Sequence, residues 1–249
     1  MAPLVPSLDL LGPAPHLSSA ALFGQSSLFG FGIAFSPLHI AVVVLLLLGT
    51  FPLRRALAFV SGWASANGLA VVVLMVVGDN LSLAVNHGER GQVMIDLAGA
   101  AVLMALGVYQ LTPAAAIGEQ GMAMRLMRQL PDFSTPMLVL IGAASALVTP
   151  ENLVFYLKEA GLLLINQPGT STDLELTGVF VAVASSLLLL PPLAWIATGG
   201  RIRDPLSRLE DWMEHHGEWL VGVLALLISA YLIWEGLHGL WLLQGAAPL

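Results

Sequence analysis

Six apolar stretches, each long enough to cross a bilayer as a helix, occupy most of this chain. They lie at about 28–49, 54–77, 93–111, 136–157, 177–198 and 217–243. A helix needs about 20 mostly apolar residues to cross the hydrocarbon core. The stretches are too long for barrel strands, and they show no strict alternation of polar and apolar residues. The sequence therefore predicts an all-α membrane protein with six transmembrane helices.

Composition and motifs exclude several classes of function. Only 10% of the residues are charged, against about 25% in an ordinary soluble domain. The net charge of −7 argues against a nucleic-acid partner. The chain has no cysteine, and therefore no disulfide, thiolate metal site or redox motif. It also lacks a Gly-rich phosphate loop, a metalloprotease motif and a nucleophile elbow, so we expect neither an enzyme nor a bound cofactor or metal.

The basic residues predict the orientation in the membrane. Seven of the nine follow predicted helices one, three and five, and so share one side: Arg54, Arg55, Arg125, Arg128, Arg201, Arg203 and Arg208. The other side has Arg90 and Lys158. Because basic residues are retained in the cytoplasm, both termini are expected outside it. Residues 1–27 would form an irregular extracytoplasmic tail, and residues 112–134 a cytoplasmic linker.

Two similar segments, one in each half of the chain, indicate an internal repeat. Ser36-Pro37 and Thr149-Pro150 each follow small and apolar residues and precede a second apolar run. Each half contains three predicted helices, an odd number, so the second half must enter the membrane upside down. The sequence therefore predicts an inverted 3+3 repeat, with its halves at 28–111 and 135–249.

The Ser-Pro and Thr-Pro pairs are predicted to be helix starts inside the membrane. Proline at the first position of a helix loses no hydrogen bond, and a preceding hydroxyl can accept a bond from a free N–H. Paired breaks in inverted halves are typical of a transporter's binding site. The alternative is a simple proline kink, satisfied by neighbouring helices. On the first interpretation Ser36, Pro37, Thr149 and Pro150 bind the substrate or a coupling ion.

Polar residues near the breaks extend this candidate site. Glu151 and Asn152 follow Pro150, and a carboxylate in a first helical turn is stabilised by the helix dipole. Such a buried acid could carry a proton between the faces. His39 follows Pro37 and titrates near neutral pH, although a hydrogen-bonded core histidine is the alternative. The histidines lack the ligand spacing of a metal site.

Further polar residues lie within the predicted helices. Asn67 belongs to "SGWASANG" at 61–68, where small residues favour close helix packing, and it could also line a cavity. Asp96, Lys158, Glu159 and Glu235 lie near predicted helix ends, where solvation at the interface is expected; Asp96 is the exception that we assign to the site. Lys158 and Glu159 point to different helix faces and need not pair.

The second half carries two further features. Leu206, Leu209, Trp212 and Met213 share one helical face, so residues 204–216 are predicted to form an amphipathic helix on the cytoplasmic surface. Pro191-Pro192 is predicted to kink or break helix five.

The chain resembles a known group of bacterial membrane proteins. The segments "FGIAFSPLHIAVVVLLL", "RRALAFVSGWASAN", "LGVYQL", "ALVTPENLVFYL" and "RLEDWMEHHGEWLVGVLALLISAYLIWEGL" occur in this order over about 28–243. Together they are similar to the sulfolipid-addressing and glycopeptidolipid-addressing protein family, within the lysine-exporter superfamily. The resemblance implies an inner-membrane protein that helps to move a small molecule or complex lipid outward. Its Asn-Pro-Lys-Asn pattern falls on Thr149, Pro150, Glu151 and Asn152, and Glu151 reverses the charge of the lysine.

These features lead to three hypotheses about function. The first is a secondary exporter of a small molecule or lipid, proton-linked, with alternating access at the breaks in helices one and four. The second is a non-transporting scaffold that delivers lipid precursors to a separate export machine. The third is an ion or metal exporter. The expected partners are membrane lipid and the substrate, and a homo-oligomer or a larger lipid-export machinery remains open.

Overall fold

The computed structural model describes residues 17–80, 83–112, 130 and 133–245, and this part of the chain folds into eight α-helices. They are α1 (Ser19–Ala34), α2 (Pro37–Leu48), α3 (Pro52–Asn80), α4 (Leu83–Gln110), α5 (Thr135–Val148), α6 (Pro150–Asn166), α7 (Thr170–Thr198) and α8 (Arg203–Gly245). The prediction of an all-helical protein is confirmed over these residues, among which no strand occurs.

Four of the helices are long and apolar enough to cross a membrane by themselves: α3, α4, α7 and α8. The pairs α1–α2 and α5–α6 pass the same test together, and each is sharply bent, by 63° and 75° respectively. The structure therefore contains four candidate spans, or six if each bent pair is one span. Both bends fall where the sequence predicts them.

The outer surface of the helices is apolar, as a lipid environment requires. Leu69, Leu140 and Trp234 are 61%, 64% and 74% exposed. Trp219 and Trp241, also exposed, delimit the apolar part of α8. They are separated by about 33 Å of helix at 1.5 Å per residue, close to the thickness of a hydrocarbon core, and tryptophan is enriched at both membrane surfaces.

The interior is built from helix pairs that approach closely. The main pairs are α1 with α7, α3 with α5, and α4 with α8. A Cβ atom at Gly62 would lie 1.9 Å from the carbonyl oxygen of Val139, and one at Gly142 would lie 2.1 Å from that of Phe59. Only glycine allows such backbone contact between α3 and α5. Close packing, predicted for the small residues of segment 61–68, is therefore confirmed.

Helix α1 begins earlier than predicted. Residues 1–27 were predicted to form an irregular tail, but residues 19–27 are helical. The hydroxyl of Ser18 accepts a hydrogen bond from the Ala21 N–H and so caps the helix. Ser26 and Ser27 lower the hydropathy of this turn, which explains the misplaced boundary. Residues 1–16 and most of the predicted linker lie outside the described residues.

Two other predictions concern helix boundaries in the second half. Residues 204–216 do not form a separate helix, because α8 is continuous from Arg203 to Gly245. Pro205 lies in its first turn, where a proline costs no hydrogen bond. Helix α7 likewise continues through the buried Pro191 and Pro192, so the predicted break does not occur there.

Candidate functional site

A proline begins the second helix at each of the two breaks, but the hydroxyl group before the proline does not cap that helix. Ser36 and Thr149 both have extended backbone, as a residue before proline prefers. The predicted side-chain caps are wrong, since neither hydroxyl accepts a bond from a main-chain N–H of its helix. Ser36 Oγ contacts His39 Nδ1 instead, and Thr149 Oγ1 donates to the Ser145 carbonyl at 2.7 Å. Hydroxyl side chains commonly bond to nearby main-chain groups in this way.

The second break exposes a carbonyl group that side chains of α6 satisfy. In a continuous helix the Ala146 carbonyl would accept from residue 150, but Pro150 has no N–H. Asn152 Nδ2 donates to this oxygen at 2.9 Å, and the Tyr156 hydroxyl lies 3.0 Å from it. Asn152 and Tyr156 are fully buried. The two side chains therefore replace the donor that proline removes.

Tyr156 also joins the break to α3. Its hydroxyl lies 2.8 Å from Asn67 Oδ1, and Asn67 Nδ2 donates to the Trp63 carbonyl at 2.8 Å. A hydroxyl has one proton, so Tyr156 donates to Asn67 or to Ala146 at any one time. Asn67 is fully buried, and it lies in the packed interior beside the α5–α6 break.

The first break contacts the same part of α3. His39 is 3% exposed, and its ring centroid lies 4.1 Å from that of Trp63 and 6.2 Å from that of Phe59. Trp63 thus contacts His39 through its ring and Asn67 through its carbonyl. Helix α3 therefore brings together the predicted residues of both halves. Pro37, the first residue of α2, is buried beside them.

Glu151 and Asp96 are also predicted site residues. Glu151 is half-buried in the first turn of α6. Asp96 belongs to a buried ion cluster in which Lys158 Nζ lies 2.6 Å from Asp96 Oδ1 and also contacts Glu235 Oε2. The same ammonium lies over the Phe29 ring, 5.2 Å from its centroid. The cluster joins α4, α6 and α8.

The expectation that Lys158 and Glu159 are solvated at the interface is wrong, whereas Asp96 was the predicted exception. Lys158 is 3% exposed, Glu159 0% and Asp96 5%. Hydropathy placed the end of helix four at residue 157, whereas α6 continues to Asn166. Lys158 consequently lies about 12 Å from the helix end at 1.5 Å per residue. Lys158 and Glu159 have separate partners, Lys158 contacting Asp96 and Glu235 and Glu159 contacting Ser26. This agrees with the expectation that they need not pair with each other.

Glu159 forms a second buried polar group that sequence reasoning missed. Its Oε1 lies 2.7 Å from Ser26 Oγ, which is itself 3.0 Å from the Leu176 carbonyl oxygen. Asn152, Tyr156 and Glu159 are spaced at i, i+4 and i+7, so they share one face of α6. That spacing was visible in the sequence and could have revealed this buried polar face.

Four polar atoms in buried side chains have no hydrogen-bond partner among the residues that the structure describes. They are Trp63 Nε1, Asn152 Oδ1, Glu159 Oε2 and Ser185 Oγ. Buried polar groups in proteins are usually paired with protein or ordered water, so each such atom needs an explanation. Within the described ranges, no group of three or more His, Asp or Glu side chains is placed to hold a metal ion.

A family model described as Sap, sulfolipid-1-addressing protein, matches residues 27–238. No curated protein and no solved structure matches the chain.

Proposed function

Because this chain belongs to the Sap, sulfolipid-1-addressing protein, family, we propose that it exports a lipid or small molecule across the bacterial inner membrane. The family description concerns the addressing of a lipid, not a catalysed reaction. Together with the helices long enough to span a membrane, it supports a lipid-related membrane function. A place in the lysine-exporter superfamily is part of this proposal.

The observation that carries the proposal is that the two bent pairs cross their neighbours in the same way. A Cβ at Gly30 of α1 would lie 2.6 Å from the Phe180 carbonyl oxygen and 3.3 Å from the Ala184 nitrogen of α7. A Cβ at Gly142 of α5 would meet the Phe59 carbonyl oxygen at 2.1 Å and the Trp63 nitrogen at 3.1 Å on α3. Both crossings use a glycine six or seven residues before the break.

The helix pairings support the inverted repeat as well. Exchanging the halves turns α1–α7 into α5–α3 and α2–α8 into α6–α4, and all four pairs are in contact. The pairs α4–α8 and α3–α7 map onto themselves, and both are also in contact. A transporter built from inverted repeats places its substrate site where the broken helices meet. In this chain that place is α3, beside Trp63 and Asn67.

Contacts between helix ends support six spans. The Leu17 N–H donates to Asn166 Oδ1 at 3.1 Å, which places the start of α1 beside the end of α6. Arg203 Nη2 donates to the Leu48 carbonyl at 2.6 Å, which places the end of α2 beside the start of α8. The long α7 separates these two sites, so α1 and α2 together run from one face to the other. We propose that both termini are extracytoplasmic, since Arg55 and Arg203 lie on the opposite side.

Proton-linked alternating access is the mechanism that we propose. The chain has no nucleotide-binding motif, so energy must come from an ion gradient or a partner protein. The half-helices α1 and α5 would move against α7 and α3, and so open the breaks to each face in turn. We propose Glu151, in the first turn of α6, as the residue that couples proton movement to transport, because a half-buried acid at this position could carry a proton.

A second candidate function is a scaffold that delivers lipid precursors to a separate export machine. The hydrogen bonds at the second break favour this function. Asn152 and Tyr156 already bond to the Ala146 carbonyl oxygen, so that oxygen needs no ligand. In that case the breaks would be packing features, and export would require the partner machine.

Reconstitution in liposomes tests the exporter against the scaffold. Glycolipids carrying a fluorescent head group, one sulfated and one neutral, are placed in both leaflets, and a membrane-impermeant quencher reports arrival in the outer leaflet. We expect translocation that increases with a proton gradient. It should be lost in Pro37→Ala, Pro150→Ala and Glu151→Gln at near-normal protein levels. Pro205→Ala, in the first turn of α8, is the matched control and should translocate normally. Normal translocation by all three site variants would contradict the proposed site, and none by the wild type would favour the scaffold.

A further inference from the structure

The carboxyl group of Glu159 is enclosed between three helices. Glu159 lies on α6, Ser26 on α1 and Leu176 on α7, and all three are fully buried. The group lies one turn beyond Tyr156 and is separate from the residues that contact the breaks. Since α1 is the first part of the pair bent by 63°, the contact with Ser26 ties the carboxyl group to a half-helix.

The hydrogen-bond geometry favours a protonated carboxyl group. The Ser26 hydroxyl has one proton and two acceptors in reach, Glu159 Oε1 at 2.7 Å and the Leu176 carbonyl oxygen at 3.0 Å. If Glu159 is ionised, Ser26 must donate to it, and the Leu176 carbonyl loses that donor. If Glu159 Oε1 carries the proton, it donates to Ser26, and Ser26 donates to Leu176. In the second arrangement Glu159 Oε1, Ser26 Oγ and the Leu176 carbonyl oxygen all take part in a hydrogen bond.

The remaining oxygen supports the same conclusion. Glu159 Oε2 is buried, and it has no hydrogen-bond partner among the described residues. An ionised carboxylate in that position would have one of its oxygens unsolvated, which is costly in a membrane interior. A neutral carboxyl group lowers that cost.

Other titratable side chains lie on α6 and on the helices around it. They include Glu151, Tyr156 and Lys158 on α6, Asp96 on α4, Asp173 and Glu175 on α7, and Tyr231 and Glu235 on α8. Lys158 is turned toward Asp96 and Glu235, and adjacent residues of a helix point about 100° apart. Tyr156 bonds to Asn67, and Asp173 lies a turn before Leu176. Helix α1 has no titratable side chain, and those of α3 lie at its two ends.

We propose that Glu159 is a proton-binding site of this protein, loaded in the present conformation and emptied when α1 moves away from α6 and α7. The Oε1–H bond then breaks, the proton passes to water that enters beside the carboxylate, and the carboxylate is reprotonated from the other face. Its role in coupling rests on the proposed proton-linked export. The binding of the proton itself does not.

Infrared spectroscopy measures the protonation directly. The purified protein in lipid is labelled with ¹³C-glutamate, which separates glutamic from aspartic acid bands. At neutral pH we expect a protonated carboxyl C=O band that is absent from Glu159→Gln and retained in the matched control Glu175→Gln, because Glu175 is exposed on α7. Ser26→Ala should shift this band to higher frequency, because the carboxyl group loses its hydrogen-bond acceptor. If the band is unchanged in both Glu159→Gln and Ser26→Ala, Glu159 is ionised and the proposal is overturned.

Translocation measurements separate this proposal from the export function. In the liposome assay Glu159→Gln should lose the dependence of translocation on the proton gradient. If the wild type does not translocate any probe but shows the Glu159 band, the proton site stands and the export function fails. If the wild type translocates with a proton gradient and Glu159→Gln does so equally, export stands and Glu159 is not its proton site.

Discussion

Replacing Lys158 by methionine tests whether the buried ion cluster stabilises the fold. Lys158 is the only lysine of the chain, and its side chain is 4% exposed, against 7% for Asp96. Methionine keeps the length of the side chain but leaves the Asp96 carboxylate buried without its cation. Removing one partner of a buried pair costs about 3–5 kcal/mol. Glu235 contributes less, because its side chain is 36% exposed and can be hydrated.

Removing both partners should cost less than removing one. In Lys158→Met combined with Asp96→Leu no uncompensated charge remains between α4 and α6, and apolar replacements of a buried pair are often neutral. The double variant should therefore recover about 2–4 kcal/mol relative to Lys158→Met. Arg208→Met is the matched control, since Arg208 is exposed on α8. A surface change of this kind should lie within about 0.5 kcal/mol of the wild type.

Unfolding of the purified protein in mixed detergent and sodium dodecyl sulfate micelles, followed by circular dichroism, measures these differences. An amine-reactive reagent gives an independent readout, because it can react only with the amino terminus and Lys158. Lys158 should remain unlabelled in the native wild type and become labelled on unfolding. A Lys158→Met variant as stable as Arg208→Met, or rapid labelling of native Lys158, would show that the cluster is solvated and the reasoning wrong.

Three other changes test separate parts of the structure. Gly142→Ala places a Cβ 2.1 Å from the Phe59 carbonyl oxygen, so the folded yield should fall on size-exclusion chromatography; Gly178→Ala, where a Cβ meets open space, should fold normally. Tyr156→Phe removes a buried donor, and should lower unfolding stability by about 1–3 kcal/mol; no loss would contradict the network with α3. Arg203→Met removes the donor to the Leu48 carbonyl, and should cost about 0.3–1 kcal/mol in the same assay, less at high salt.

The helical architecture could be predicted because it depends on local patterns. Apolar stretches of membrane length and prolines after Ser36 and Thr149 specify where helices lie and where they bend. Close packing of α3 against another helix was also predicted, since glycines in segment 61–68 allow it. These features need no knowledge of which helices are neighbours.

The polar partners could not be predicted, because they join distant parts of the chain. Tyr156 and Asn67 are 89 residues apart, and Ser26 and Glu159 are 133 apart. Hydropathy also placed the end of helix four at residue 157. Lys158, which is buried, was therefore expected at the membrane interface. A boundary error of a few turns is enough to reverse the expected environment of a charge.

The two halves share a backbone plan but differ in the chemistry of their breaks. Beside the first break, His39 contacts the aromatic rings of Trp63 and Phe59. The second half concentrates its polar groups on α6, where Asn152 and Glu159 are buried within three turns of each other. The proposed inverted repeat would account for the bends and the helix crossings of both halves, whereas the proposed proton site, Glu159, belongs to the second half alone. Variants of Glu159 should consequently change proton coupling, while Pro37→Ala and Pro150→Ala should act alike on translocation.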